Sequence, residues 1–312
     1  MQIWRDVDDV PADLGRTVVS IGNFDGVHRG HAHVLRQARE TATRLGVDTV
    51  VAVTFDPHPM AVLRPEHAPP TLTSIETRAR LLEGAGVDAI LVVGFDREIA
   101  GWSPEEFIDR VLVDGLHAAA VVVGSNFRFG AKAAGEVATL VAAGGSRGFE
   151  TVGVALDGGP QVWSSTYVRQ CLATGDVAGA SEALGRPFTV RGTVVEGDKR
   201  GRELGYPTAN VPVPPVDAAP ADGVYAGWLT RLDTGERYPA AISVGTNPTF
   251  EGERERRVES YVLDRDDLEL YGVEVEVAFT ERLRGMVKFD GIDALLETMA
   301  DDVVRAREVL GA

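Results

Sequence analysis

Near residue 185 the chain changes rhythm, and that change limits the fold more than any other feature. From residue 17 to about 185, short runs rich in Val and Ile recur: "TVVSIGNF", "DTVVAVTF", "AILVVGF", "AAVVVG" and "FETVGVAL". Runs that are apolar on both faces suit strands covered from both sides, as in a parallel sheet. Amphipathic stretches such as "IETRARLLEGAG" and "SPEEFIDRVLVDGL" separate them. The second opens with Ser103 as a cap, Pro104 in the first turn and Glu106 placed to complete a capping box. Strand–helix alternation of this kind predicts a doubly wound α/β domain over residues 1–185.

After "EALGRP" the runs "FTVRGTVVEG", "GVYAGWLTRL", "RYPAAISVG", "VESYVLD" and "VEVEVAFTERL" follow with no helix between them. Asp233-Thr234-Gly235 reads as a hairpin turn, and "VPPVDAAPADG" as a longer Pro-rich loop. A last helical pattern covers about 291–310. Short strands closed by one helix predict a small antiparallel barrel or sandwich over residues 186–312. A length of 312 residues suits two such domains.

Composition narrows the partners. With 31 Lys and Arg against 47 Asp and Glu, the net charge is −16. A protein built to grip nucleic acid carries the opposite balance, because it must replace counterions along the phosphates. Small anions remain accessible to a local cluster of donors. Cys171 is the only cysteine, so no internal disulfide or cysteine metal cluster can form. The first residues lack a basic patch followed by an apolar core, and no apolar run reaches the length of a membrane span. A cytoplasmic protein with no membrane partner is expected.

Four segments sit where the α/β pattern places strand ends, the usual ligand edge of an open parallel sheet. "GNFDGVHRGH", 22–31, combines glycines that let backbone approach a ligand with a helix start that offers free N–H groups. His28 and His31 can donate to phosphate oxygens there. Alone, the segment is equally consistent with an Asp25-Gly26 turn and a helix that happens to open at His31. "TFDPHP" places Asp56 and His58 in a Pro-stiffened loop. "GSNFRFG" places Asn126 and Arg128 after a strand, and "SSTYVR" starts a helix with three hydroxyls and Arg169 one turn on. Four such segments on one rim favour a nucleotide site.

In the second half, "GDKRGRELGYPTANV" joins a Gly-rich basic loop to a Pro-Thr-Ala-Asn turn. Lys199, Arg200 and Arg202 can close over phosphates. Thr208 and Asn210 offer hard oxygens of the kind Mg²⁺ accepts beside water and phosphate. Strand alternation puts Glu259 on one face with Tyr261 and Leu263, and Val258, Ser260 and Val262 on the other. Such a carboxylate can act as general base in phosphoryl transfer, although an edge glutamate facing water is the commoner fate.

Taken in order, "GNFDGVHRGH", "TFDPHP", "GSNFRFG" and "SSTYVR" resemble the adenylyltransferase half of the bacterial bifunctional riboflavin kinase/FMN adenylyltransferase family. "GRELGYPTAN", "DGVYAGW", "SVGTNPTF", "VESYVLD", "LYGVEVEVAF" and "RLRGMVKFDGIDAL" resemble its kinase half. The resemblance implies a nucleotidyltransferase domain followed by a six-stranded antiparallel barrel with a C-terminal helix. It implies phosphorylation of riboflavin to FMN by ATP, then transfer of AMP to FMN with release of pyrophosphate. His28 and His31 would hold the triphosphate. Gly22, Asn23, Phe24 and Gly30 would pack on the nucleotide, with Ser164, Ser165, Thr166 and Arg169 as donors opposite.

The same resemblance gives the flavin and its phosphate to Asp56, His58, Asn126 and Arg128. In the barrel it gives ATP to Lys199, Gly201, Arg202, Gly205, Tyr206 and Pro207, Mg²⁺ to Thr208 and Asn210, and the riboflavin 5′-hydroxyl to Glu259. Riboflavin, FMN, FAD, ATP, ADP and pyrophosphate would be the partners, with no nucleic acid, and the chain a monomer or transient oligomer. Family members often carry a basic residue just ahead of Ser-Ser-Thr, where Val162 and Trp163 stand here. Ser125 replaces a more usual acidic residue. A flavin-binding module without turnover, or another His-x-Gly-His nucleotidyltransferase, would be the alternatives.

Overall fold

The computed structural model describes residues 1–155, 163–197, 205–248, 254–289 and 291–312. The chain divides into two compact units, residues 1–165 and 166–312. In the first, strands β1 (Gln2–Trp4), β2 (Thr17–Ile21), β3 (Thr49–Asp56), β4 (Ala89–Gly94) and β5 (Ala118–Gly124) belong to one parallel sheet. A short hairpin of β6 (Arg128–Phe129) and β7 (Gly135–Glu136) follows, and β8 (Glu150–Val154) completes the sheet. Its order is β1-β4-β3-β2-β5-β8.

Strand alternation sends Val18, Val50, Ala52, Ile90 and Val122 to one face and Val19, Val51, Leu91 and Val121 to the other. Both sets are buried, which explains the unbroken Val/Ile runs. Helices α1 (Arg29–Leu45) and α3 (Ile75–Gly84) cover the first face with Leu35, Ala38, Ala79 and Leu82, while α2 (Pro59–Leu63) lies between them in the chain. Helix α4 (Pro104–Phe107), its continuation Ile108–Gly115, and α5 (Val137–Arg147) cover the second face through Phe107, Leu112 and Leu140. Burying each such side chain contributes roughly 1.5–3 kcal/mol.

The expected strands are present, and β1 and the β6–β7 hairpin are additions. Three and two residues carry too little periodicity to be read from sequence. The predicted capping box at α4 is only half formed: Glu106 N–H donates to Ser103 Oγ (3.0 Å), but the Glu106 carboxylate turns to Arg110 (2.8 Å). Beyond Phe107 the helix widens to π-type turns, and Leu116 N–H bonds back to Val111 O.

The second unit carries α6, whose range is Ser165–Thr174 and whose first residue still counts with the first unit, and α7 (Val177–Leu184). Strands β9 (Thr189–Thr193), β10 (Thr208–Val213), β11 (Gly223–Arg231), β12 (Arg237–Pro248), β13 (Arg254–Val262) and β14 (Glu274–Arg284) follow. They pair antiparallel in the order β10-β13-β12-β11-β14-β9. A bridge from Val195 N–H to Asn210 O (2.9 Å) brings the chain after β9 back to β10, so the barrel is nearly closed. Tyr225, Ile242, Val244, Val258, Val277 and Phe279 are buried in it. Helix α8 (Ile292–Leu310) packs Val303, Ala306 and Leu310 on the outer face beside Val224, Ala241, Tyr261 and Leu263.

One element corrects the sequence reading. Thr208-Ala209-Asn210 is not a turn: it is the first half of β10, paired with β13. Pro207 immediately precedes the strand, where its missing N–H is harmless and its ring stiffens the entry. No helix among the described residues is long and apolar enough to cross a membrane.

Candidate active sites

In the sheet order, β2 lies between β3 and β5, which run on in opposite directions through the sheet. Ligands of open α/β sheets bind at the carboxyl ends of strands at such a switch point. The segments 22–31, 56–59 and 125–128 leave the ends of β2, β3 and β5 respectively, so three of the four predicted loops share that rim.

After β2, Gly22 N–H donates to Val53 O (3.0 Å), and Thr54 Oγ1 donates to Asn23 O (2.9 Å). Phe24 then turns back with φ 47° and is buried under the loop, and Val27 follows at φ 40°. Left-handed backbone at an aromatic and a β-branched residue costs about 1–3 kcal/mol each. Gly26, at φ 83°, takes the intervening position without that penalty. The sharp turn ends where His28 caps α1, with Nδ1 accepting from His31 N–H (3.3 Å). In neutral His28 the proton therefore sits on Nε2, which makes that nitrogen the donor.

His31 stacks on His28 with ring centroids 3.6 Å apart and meets the Phe24 edge at 5.1 Å. Its Nδ1 is buried with no hydrogen-bond partner among the described residues. Burial holds its pKa well below the usual imidazole value, reinforced by the neighbouring charges of His28 and Arg78. His31 is accordingly neutral at pH 7. Gly30 is needed for close approach: a Cβ there would lie 3.0 Å from His28 Cε1 and 3.1 Å from Trp163 O. On the far side of the turn, Ser165 Oγ at the start of α6 donates to Asp25 O (2.7 Å), with Ser164 just ahead of it. Thr166 and Arg169 lie further along α6, in the second unit.

The other predicted residues divide. The Asn23 amide meets His58 Nε2 at 3.1 Å, while His58 Nδ1 caps α2 by accepting from Met60 N–H (3.1 Å). Asp56 and His58 line a cavity of about 260 Å³ together with Arg5, Asp25, Thr73 and Arg78. Asn126 is exposed in the turn after β5. Arg128 is exposed and paired with Glu136 across the β6–β7 hairpin (2.8 Å), so the structure joins it to that hairpin rather than to the histidines. Asp25, Thr73 and Arg78 were missed as site residues. Arg78 reads in sequence as one more polar position of α3, and only the fold shows it buried at 6 % exposure. Val162 lies outside the described residues; Trp163 stands under the Arg29 guanidinium (6.0 Å).

In the barrel, the β10–β13–β12 register places Asn210 opposite Glu259 and Glu259 opposite Ser243. The adjacent row is Thr208, Tyr261 and Ala241. Directly opposed residues bring their Cβ atoms to about 5 Å, so Thr208, Asn210 and Glu259 share one patch. Asn210 is buried, and its Nδ2 donates to Thr208 O (3.1 Å) and Thr208 Oγ1 (3.2 Å). That fixes Oδ1 as the acceptor the amide presents elsewhere. Gly197 makes room for it: a Cβ there would fall within 2.7–2.8 Å of the Asn210 amide.

Glu259 is half-buried on the face that carries Tyr261. Tyr206 packs its ring edge-on against Tyr261 at 5.1 Å, and burial raises the Tyr261 pKa. Gly205 and Pro207 flank Tyr206, with Gly205 at φ 86°. Lys199, Gly201 and Arg202 lie outside the described residues. Across the outer face, the Arg284 guanidinium grips both oxygens of buried Asp302 (2.7–3.0 Å) and anchors α8 to β14.

A hydroxyl, an amide oxygen and a nearby carboxylate make a hard donor set. It fits Mg²⁺ that arrives with phosphate oxygens and keeps water, rather than a cation held by protein alone. Among the described residues, no group of three or more His, Cys, Asp or Glu is arranged to hold a metal.

Comparison with known proteins agrees with both halves. Residues 10–166 match the family model described as FAD synthetase, and residues 184–310 match the one described as riboflavin kinase. The bifunctional riboflavin kinase/FMN adenylyltransferase of Escherichia coli K12 is 38% identical over 94% of this chain and 93% of its own length. The protein of the same name from Pseudomonas fluorescens is 38% identical over 98% and 97%. A solved structure from Streptococcus pneumoniae, described as a macrolide-efflux protein, is 31% identical, covers 98% of each chain and superposes with a TM-score of 0.87.

Proposed function

The chain belongs to the bifunctional riboflavin kinase/FMN adenylyltransferase family, and we propose that the turn after β2 carries its adenylyl transfer and the β10–β13 pair its phosphorylation. The two activities convert riboflavin to FMN with ATP, then FMN to FAD with a second ATP and release of pyrophosphate. ADP is the other product.

For adenylyl transfer, the FMN phosphate attacks the α-phosphorus of ATP in line, so no protein nucleophile is required. The protein's part is positioning and charge stabilisation. His28 offers Nε2–H, and the first N–H groups of α1 point the same way with the positive end of its dipole. His31, neutral in the chain by itself, gains affinity for a proton when an anion arrives and so strengthens its hydrogen bond as negative charge develops. Ser164 and Ser165 add donors at the start of α6. Asp56 and His58, in the cavity beside the turn, hold the flavin end, with Asn126 at the neighbouring strand end.

For phosphorylation, Glu259 accepts the proton of the riboflavin 5′-hydroxyl as that oxygen attacks the γ-phosphorus. Thr208 and Asn210 would hold the Mg²⁺ that accompanies ATP, and that ion would neutralise phosphate charge. Tyr206 and Pro207 border the same patch. Mg²⁺-ATP and flavins are thus the ligands of both halves. The −16 charge argues against a nucleic-acid partner, and the single Cys171 and the ATP requirement suit a cytoplasmic setting.

The observation that carries the residue assignment is the stacked His28–His31 pair at the α1 N-terminus, on the switch-point rim. The full chain incubated with riboflavin, ATP and Mg²⁺ yields FMN and FAD, and FMN supplied directly yields FAD with pyrophosphate. Absence of both products would overturn the assignment.

A further inference from the structure

Asp25 sits inside "GNFDGVHRGH", and its buried carboxylate is bound by the segment that leads into α3. It is 2 % exposed. It accepts from Leu72 N–H with both oxygens (3.0 and 3.1 Å), and from Thr73 N–H (3.0 Å) and Thr73 Oγ1–H (3.1 Å). Arg78, from the first turn of α3, forms an ion pair with it at 3.4 Å. Arg78 also donates to Thr54 Oγ1 (3.1 Å) and Thr73 O (3.1 Å).

These partners hold the histidine turn at successive points. Thr54 Oγ1 grips Asn23 O, Thr73 Oγ1 accepts from Gly26 N–H (3.0 Å), and Ser165 Oγ grips Asp25 O. Along and just beyond these grips, Phe24, Gly26 and Val27 take left-handed backbone. Nothing in a tight turn obliges Phe24 or Val27 to adopt that backbone, so it persists only where surroundings over-determine it. The conformation also places the Phe24 edge against His31 and delivers His28 to the cap of α1.

We propose that Asp25, Thr73 and Arg78 form a buried positioning unit for adenylyl transfer, which holds the turn in its strained shape and thereby aims His28 and His31. None of the three needs to touch the reacting phosphates. A buried charge pair tied into several hydrogen bonds fits this task because removing any partner leaves another unsatisfied, so the turn has few alternative arrangements. Arg78 acts on His31 as well, since its charge helps keep that ring neutral. The inference rests on the assignment of the histidines to adenylyl transfer.

The test uses the full chain and begins with Thr73→Val, which removes one hydroxyl at nearly constant volume. The kcat for FMN adenylylation falls about tenfold or more, KM for ATP stays within threefold, and riboflavin phosphorylation is unchanged. Thr73→Ser, which keeps the hydroxyl, restores kcat to within twofold. Amide exchange quickens at residues 23–28, while β2 and β5 remain protected. Asp25→Asn gives a larger loss of the same form.

Wild-type kcat in Thr73→Val would overturn the proposal. So would a loss that Thr73→Ser fails to restore, a loss falling mainly on KM, or quickened exchange spread evenly through β2 and β5. Should wild-type protein make no FAD from FMN, the functional reading fails instead. Should His31→Ala abolish FAD formation while Thr73→Val does not, only the positioning unit fails.

Discussion

His31 is held neutral by its surroundings, and this has consequences for both activity and stability. Replacing it with Ala removes the donor proposed for the developing phosphate charge and should lower FAD formation from FMN about 100-fold or more. Riboflavin phosphorylation by the same chain should change less than twofold, which a paired assay of both reactions would check. Stability follows the sign of the shift. In the unfolded chain His31 titrates near 6.5, and in the folded chain its pKa is lower. Its contribution is therefore complete above about pH 6.5 and declines as pH falls from there toward the folded value. Stability of the first unit against urea should fall from pH 7 to pH 5.5, and His31→Gln should flatten that slope by up to one proton. At the other site, Glu259→Ala removes the proposed base and should lower FMN formation by 10²–10⁴-fold, a typical general-base effect. Adenylylation of added FMN remains. Equal loss of both reactions in either variant would contradict separate sites.

Among the elements, long strands and helices were legible because burial on two faces or one leaves a period in the sequence. β2, β3, β5 and the barrel strands β11 to β14 are all of this kind. The residues that complete the sites left weaker marks. Thr208-Ala209-Asn210 looks like a turn because Pro207 precedes it, and only pairing with β13 shows a strand that carries Asn210 to Glu259. Arg78 and Thr73 gave no mark, since a buried ion pair depends on which helix the fold lays beside which turn. Gly197 is similar: it stands far from any helix cap, and its purpose is the space it leaves for Asn210. Gly197→Ala should therefore raise KM for Mg²⁺-ATP in the kinase reaction by about tenfold and leave adenylylation intact. The docking of α8 gives a stability test. Asp302→Ala leaves Arg284 without its carboxylate and should destabilise the second unit by about 3 kcal/mol, read from its denaturant midpoint.

At the scale of the whole molecule, two unrelated architectures on one chain use ATP differently. A parallel sheet presents helix N-termini and loops at its strand ends, which suits a site that stabilises charge during adenylyl transfer. A barrel wall presents cross-strand rows, which suits a hydroxyl, an amide and a carboxylate set side by side for phosphoryl transfer. The change of rhythm near residue 185 pointed to two architectures, although the compact units divide at 165/166, and three of the four predicted loops leave strand ends on one rim. Separate sites linked by a diffusible product predict complementation: a mixture of His31→Ala and Glu259→Ala chains should convert riboflavin to FAD although neither chain does so alone. The most direct measurement is the time course of FMN and FAD from riboflavin, ATP and Mg²⁺ with the unmodified chain. FMN should rise first and FAD follow, with one ADP for each riboflavin consumed and one pyrophosphate for each FAD formed. Formation of neither flavin, or failure to make FAD when FMN itself is supplied, would contradict the account.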